Sequence, residues 1–130
     1  MLILVVEPGK APYTREINDT LEEMQEIVGG YIQVIYPFQD PVALVCNEEG
    51  KLMGLPLNRS LSDENGEIYE IIAGTFFLCG APTTSDSFIG LQPEQAEIYK
   101  KGFLLPEVFL RVNGRIVALP VEEGNCGPSQ

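Results

Sequence analysis

Eight cations carry whatever anion chemistry this chain can do: Lys10, Arg15, Lys51, Arg59, Lys100, Lys101, Arg111 and Arg115. They stand against 19 acidic side chains, for a net charge of −11. In a chain this acidic a loop-borne cation is informative. Lys10 lies between Pro8 and Pro12, close to Tyr13; Arg59 follows a corner set by Pro56, beside Asn58. Arginine offers a planar fork to carboxylate or phosphate, and Asn and Tyr add directional hydrogen bonds. Lys10, Tyr13, Asn58 and Arg59 are therefore the candidate site for a small anionic ligand, such as a nucleotide-derived signal. The plainer alternative is that Lys10 and Arg59 form surface salt bridges with neighbouring acids.

The rest of the inventory excludes more than it offers. There is no histidine, so the commonest general base is missing and neither a Ser-His-Asp nor a Cys-His site can be built from this chain. Serine with lysine, or a pair of carboxylates, stays open as a cryptic enzyme, but spacing singles out no pair. No P-loop, no G-x-G-x-x-G after a strand and no deaminase zinc motif is present. Cys46, Cys79 and Cys126 form no C-x-x-C, so neither a disulfide framework nor a zinc site is expected. Cys46 and Cys79 read as small core residues, and Cys126 as a free thiol. Asp63, Asn65 and Glu70 are out of register for a calcium loop. No catalytic residue, metal or cofactor is assigned.

The charge balance opposes direct nucleic-acid binding, which draws its affinity from Lys and Arg on phosphates. Tryptophan is absent, and the aromatics are not interleaved with basic residues as single-strand binders require. An acidic face that imitates DNA or docks a basic protein is the second reading. Its carboxylates would include Glu22, Glu23, Glu26, Glu48 and Glu49.

These residues need elements to position them. Leu2 to Val6 is a continuous apolar run, a strand buried on both faces. Two prolines and a glycine break the chain before Tyr13 to Ile17 returns as a second strand. Thr20 with Glu23, or Asp19 with Glu22, has capping-box spacing, and Gly29-Gly30 is a stop, so a helix is expected over Asp19 to Val28. Tyr31 to Tyr36 is rich in β-branched and aromatic residues and is a strand. Ala43 to Arg59 reads as a central hairpin: Val42 to Cys46, a turn over Asn47 to Gly50 with Gly50 at positive φ, and Lys51 to Leu55 returning antiparallel. Ser60 to Gly66 reads as a loop. Ile68 to Ile72 and Thr75 to Cys79 read as one strand bent at Gly74. Gln92-Pro93 opens a second helix that Lys100-Lys101 and Gly102 close. Asn113-Gly114 joins Val108 to Val112 and Arg115 to Leu119 in a hairpin.

The fold class is α+β: a mainly antiparallel sheet packed with one or two short helices. The opening order of hairpin, helix and strand is similar to the β-grasp arrangement. Residues 1–121 form one domain, with 103–121 a C-terminal hairpin extension and 122–130 a mobile tail. No apolar run approaches the roughly 18 residues of a membrane span. The N-terminus lacks a basic region and a cleavage site, so a cytoplasmic protein is expected.

The stretches EPGKAPYTREI, IVGGYIQVIYPFQDPVALVCNEEGKLMGLPLNR and IIAGTFFLCG resemble the small proteins grouped as domain of unknown function 3846. The resemblance covers about Leu2 to Phe103 and leaves the last hairpin outside. It implies a small cytoplasmic accessory protein of the kind carried by Firmicutes, phages and mobile elements, with no activity attached. In that setting such proteins often counter host defence by sequestering a nucleotide signal, by mimicking DNA or by binding a host protein. The expectation is thus a non-enzymatic binding protein for a small anionic ligand, with a basic protein partner as the alternative and a homodimer allowed.

Overall fold

The computed structural model describes residues 1–122. Three apolar runs form the centre of the molecule: β1 (Leu2–Val6), β4 (Val42–Asn47) and β7 (Phe76–Gly80). With β2 (Tyr13–Glu16) and β3 (Ile32–Ile35) they make a five-stranded sheet in the order β2-β1-β7-β4-β3, every pair antiparallel. Strands apolar at almost every position must be covered on both faces. One face, with Ile3, Val5, Val45 and Phe77, packs on Met24 and Val28 of α1 (Leu21–Val28). The other, with Leu4, Val6, Leu44, Phe76 and Leu78, packs on Ala96 of α2 (Pro93–Gly102) and on Leu61 and Ile72 of a separate hairpin, β5 (Leu57–Ser62) with β6 (Ile68–Ala73). The edge strand β2 is short, exposed and charged, which discourages pairing with another chain.

The helix signals are realised. Thr20 Oγ1 accepts from the Glu23 amide at 3.3 Å, and Glu23 Oε1 accepts from the Asn18 amide at 3.2 Å. Gly29 ends α1 at φ 81°, where a side chain would be strained. Pro93 opens α2 and Phe103 caps its end. Asn113 and Gly114 both take positive φ and join β8 (Glu107–Val112) to β9 (Arg115–Pro120) over six residue pairs. Glu107 holds this hairpin to β5: its Oε1 accepts from Ser60 N at 3.0 Å and Ser60 Oγ at 2.6 Å.

Three connections differ from expectation. Ala43–Arg59 is not a hairpin: β4 pairs with β3 and β7, and residues 51–54 are turns, so the returning strand is β5 and its partner is β6. All six residues of β4 are buried, and such a strand needs a neighbour on each edge. Gly50 does not take positive φ; Gly54 does. Gly50 is there for space, since a Cβ would stand 2.6 Å from the Ala73 carbonyl oxygen. Ser60 belongs to β5 instead of a loop, and residues 68–80 are two strands in different sheets, turned at Gly74 (φ 83°). The expectations for Cys126 and the tail fall outside the described residues, apart from Glu122. No helix among the described residues is long and apolar enough to cross a membrane.

Candidate functional site

The four candidate residues meet in one network, but only two of them reach the surface. Tyr13 Oη donates to Glu7 Oε2 at 2.5 Å, and Lys10 Nζ lies 3.6 Å from Glu7 Oε1. The bond to Glu7, then partial burial, raises the Tyr13 hydroxyl above its ordinary value. Lys10 thus behaves as the surface-salt-bridge alternative describes.

Asn58 and Arg59 are inside the protein, at 0% exposure. Asn58 Nδ2 donates to Val6 O at 2.8 Å and Gly74 O at 2.9 Å, tying the end of β1 to the Gly74 corner. Its Oδ1 accepts from Arg59 Nη1 at 2.9 Å. Arg59 Nη2 donates to Lys10 O at 2.7 Å and to Phe103 O at 2.9 Å, with Nε also on Phe103 O at 3.2 Å. A buried guanidinium is tolerated only when hydrogen-bonded. The carbonyl at the C-terminus of α2, where the helix dipole is negative, is a favourable acceptor. Loop-borne presentation of Arg59 to a ligand is therefore corrected. It sits on β5 and joins the proline-bounded loop, β5 and the end of α2. At 0% exposure Arg59 is also not the exposed surface residue that its alternative describes.

An open cleft lies elsewhere, between β6 and β9, with a volume of about 750 Å³. Lys51, Tyr69, Glu67, Glu70 and Arg115 line it, with residues 116–118 beside Arg115. Lys51 Nζ donates to Glu70 Oε1 at 2.5 Å, and the same oxygen accepts from Ile71 N at 2.9 Å. The Lys51 bond, then the Ile71 amide, holds the Glu70 carboxyl below its ordinary range against partial desolvation. Tyr69 and Arg115 are exposed. A second opening of the same volume, between residues 36–41 and 81–88, carries Asp40 and Asp86 and no cation. Among the described residues no cluster of three His, Cys, Asp or Glu side chains could hold a metal ion.

Sequence reasoning passed over Tyr69 and Arg115. A signal existed for Arg115, one of eight cations and next to the strongest turn in the chain. For Tyr69 there was none, because nothing local says that β6 and β9 flank one cleft.

The acids of the second reading are also placed. Glu22, Glu26, Glu48 and Glu49 are exposed, while Glu23 is engaged in the cap of α1. Asn47 Nδ2 donates to Val28 O at 3.1 Å, which sets the 47–50 turn against the end of α1.

Compared with known proteins, the chain matches over residues 1–104 the family described as domain of unknown function (DUF3846). No curated protein and no solved structure matches it.

Proposed function

We propose that this chain, which belongs to the DUF3846 family, is a non-enzymatic cytoplasmic binding module whose β6–β9 cleft receives a small anionic ligand of nucleotide type. The observation that carries this reading is the lining of that cleft: two of the eight cations, Lys51 and Arg115, share an open wall with the exposed ring of Tyr69. Arg115 can fork onto a phosphate, and Tyr69 can stack on a base. The Lys51–Glu70 pair is half-exposed. Such pairs contribute about 0–1 kcal/mol, so a phosphate can take the place of Glu70 at small cost. In the phage or mobile-element setting implied by the family resemblance, sequestering a nucleotide signal would counter host defence.

Calorimetry against a panel of nucleotides and cyclic nucleotides tests this. Binding heat is expected with at least one. Arg115→Ala should weaken it about 10-fold or more, the loss of a hydrogen bond from a charged group. Tyr69→Ala should weaken it similarly through lost stacking. Glu70→Gln keeps an acceptor for Ile71 N while releasing Lys51, so affinity should rise; Lys10→Ala should change nothing. Absence of heat across the panel sinks the proposal.

The acidic-module reading has its own support. Glu22, Glu26, Glu48 and Glu49 are exposed on two segments joined by the Asn47–Val28 bond. It would show as capture of a basic protein that weakens steeply with salt; salt-insensitive binding counts against it.

A further inference from the structure

The β8–β9 hairpin lies beyond the residues that match the family. Its register places Val108, Leu110 and Val112 on one face with Val117 and Leu119 across from them, and Arg115 opposite Val112 at the tip. All of these except Val117 are exposed; Leu110 is 48% exposed. A two-stranded hairpin cannot bury such a face by itself. Regular apolar alternation left open marks an interaction surface.

The charge distribution identifies the kind of cover. The hairpin, residues 107–120, carries two cations, Arg111 and Arg115, and one acid, a net charge of +1; the rest of the chain carries six cations and 18 acids, a net charge of −12. The main body also presents an apolar surface with an acidic rim. A hollow of about 300 Å³ is lined by Gln25, Tyr31, Asn47, Glu49 and Met53. Beside it Leu52 stands 88% exposed, and Glu48 and Glu49 are exposed too. Lys51, the neighbour of Leu52, lines the same cleft as Arg115. The hairpin tip and the turn that carries Leu52 therefore meet at one cleft, and reciprocal contact about a two-fold axis needs two surfaces of one protomer that lie close together.

We infer that the cover is a second copy of this chain: the aliphatic face of β8–β9 in each protomer docks on the Tyr31, Leu52 and Met53 surface of its partner, with Arg115 set against Glu48 and Glu49. The two proposals share Arg115, but this association is measured without ligand and on the mass of the protein, so either can fail without the other. Apolar side chains supply the attraction, and the opposed charges set the register and offset the repulsion between two acidic chains.

Sedimentation and light scattering on the full chain test it. Wild type should have twice the 14.3 kDa of one chain. Leu110→Glu and Leu52→Glu, both at exposed positions, should each give a folded monomer by circular dichroism. Arg115→Glu and the double variant Glu48→Lys/Glu49→Lys should each weaken association about 10-fold or more. An equimolar mixture of those two proteins should recover the wild-type mass, because both reciprocal contacts are then complementary. A wild-type monomer at all concentrations overturns the inference and leaves the face to a different protein. A dimer that survives both Leu→Glu substitutions, or a mixture that does not recover, overturns it as well.

Discussion

Ser60 and Ile71 stand opposite each other across β5 and β6, and each gives its amide to a glutamate: Ser60 N to Glu107 Oε1 at 3.0 Å, Ile71 N to Glu70 Oε1 at 2.9 Å. An unpaired strand edge is a template for aggregation. This two-stranded sheet has both edges closed at the same rung by a carboxylate. One of the two, Glu107, is also the anchor of the C-terminal hairpin.

Glu107→Ala should therefore do two things. It should destabilise the protein by about 1–3 kcal/mol, the cost of leaving partly buried donors without an acceptor. It should also raise amide exchange at Ser60 and along β8–β9. Glu107→Gln keeps an acceptor oxygen and should cost less than about 1 kcal/mol. Equal urea midpoints for the two variants would refute the anchoring role.

Arg59→Ala should be among the most damaging substitutions in the chain. It leaves the carbonyls of Lys10 and Phe103 and the Asn58 side chain without their buried donor. Breaking a buried charged network of this kind costs about 3–5 kcal/mol. Arg59→Lys keeps the charge and loses the fork, so it should not restore wild-type stability. Equilibrium denaturation measures both. A stable Arg59→Ala protein with lost ligand binding would return Arg59 to the functional site.

Gly50 and Gly102 make a paired test of space. Gly50→Ala would bring a Cβ to 2.6 Å from the Ala73 carbonyl, whereas nothing lies within 4 Å at Gly102. The first should destabilise by about 1–3 kcal/mol. Gly102→Ala, at ordinary φ in the last turn of α2, should stabilise by about 0.4–1 kcal/mol. Thermal midpoints moving in the same direction would contradict this.

Stability should fall in alkali. Burial pushes the Cys79 thiol up to about 12 and the Cys46 thiol up to about 11, from an ordinary 9.0, with the charge of Glu70 adding at Cys46. Above about pH 9 an unfolded chain releases protons that the folded chain keeps, so folding loses free energy as pH rises through this window and gains none below it. The Tyr99 hydroxyl, raised by burial and by its 2.8 Å bond to Asp40, acts in the same direction. Thermal midpoints measured at steps from about pH 8 to about pH 11 should fall, and Cys46→Ala with Cys79→Ala should flatten the slope. A double variant with an unchanged slope would show that other groups cause the loss.

Local chemistry was legible and long-range partnership was not. Thr20, Glu23 and Gly29 announce α1 because a cap is built from neighbours, and Asn113-Gly114 announces its hairpin for the same reason. The run Val42 to Cys46 announces a strand. Being apolar throughout, it has no polar face to say which strands flank it; closeness in the chain points to residues 51–55, whereas its partners are β3 and β7. Arg59 failed in the same way. The acceptors that keep it inside, Lys10 O and Phe103 O, are 49 and 44 residues away. The α+β class survived these errors because it depends on element types and not on their pairing.

Those two separations bear on time as well as energy. The Arg59 bonds to Lys10 O and Phe103 O each close a long loop, and loop closure has an entropic cost that is met before the contact forms. The guanidinium should reach both carbonyls only after the central strands and α2 have assembled around it. Its loss should then speed unfolding and leave the folding rate nearly untouched. On that account Arg59 is a latch: it has little part in how the chain finds its fold, and governs how long the fold lasts once found.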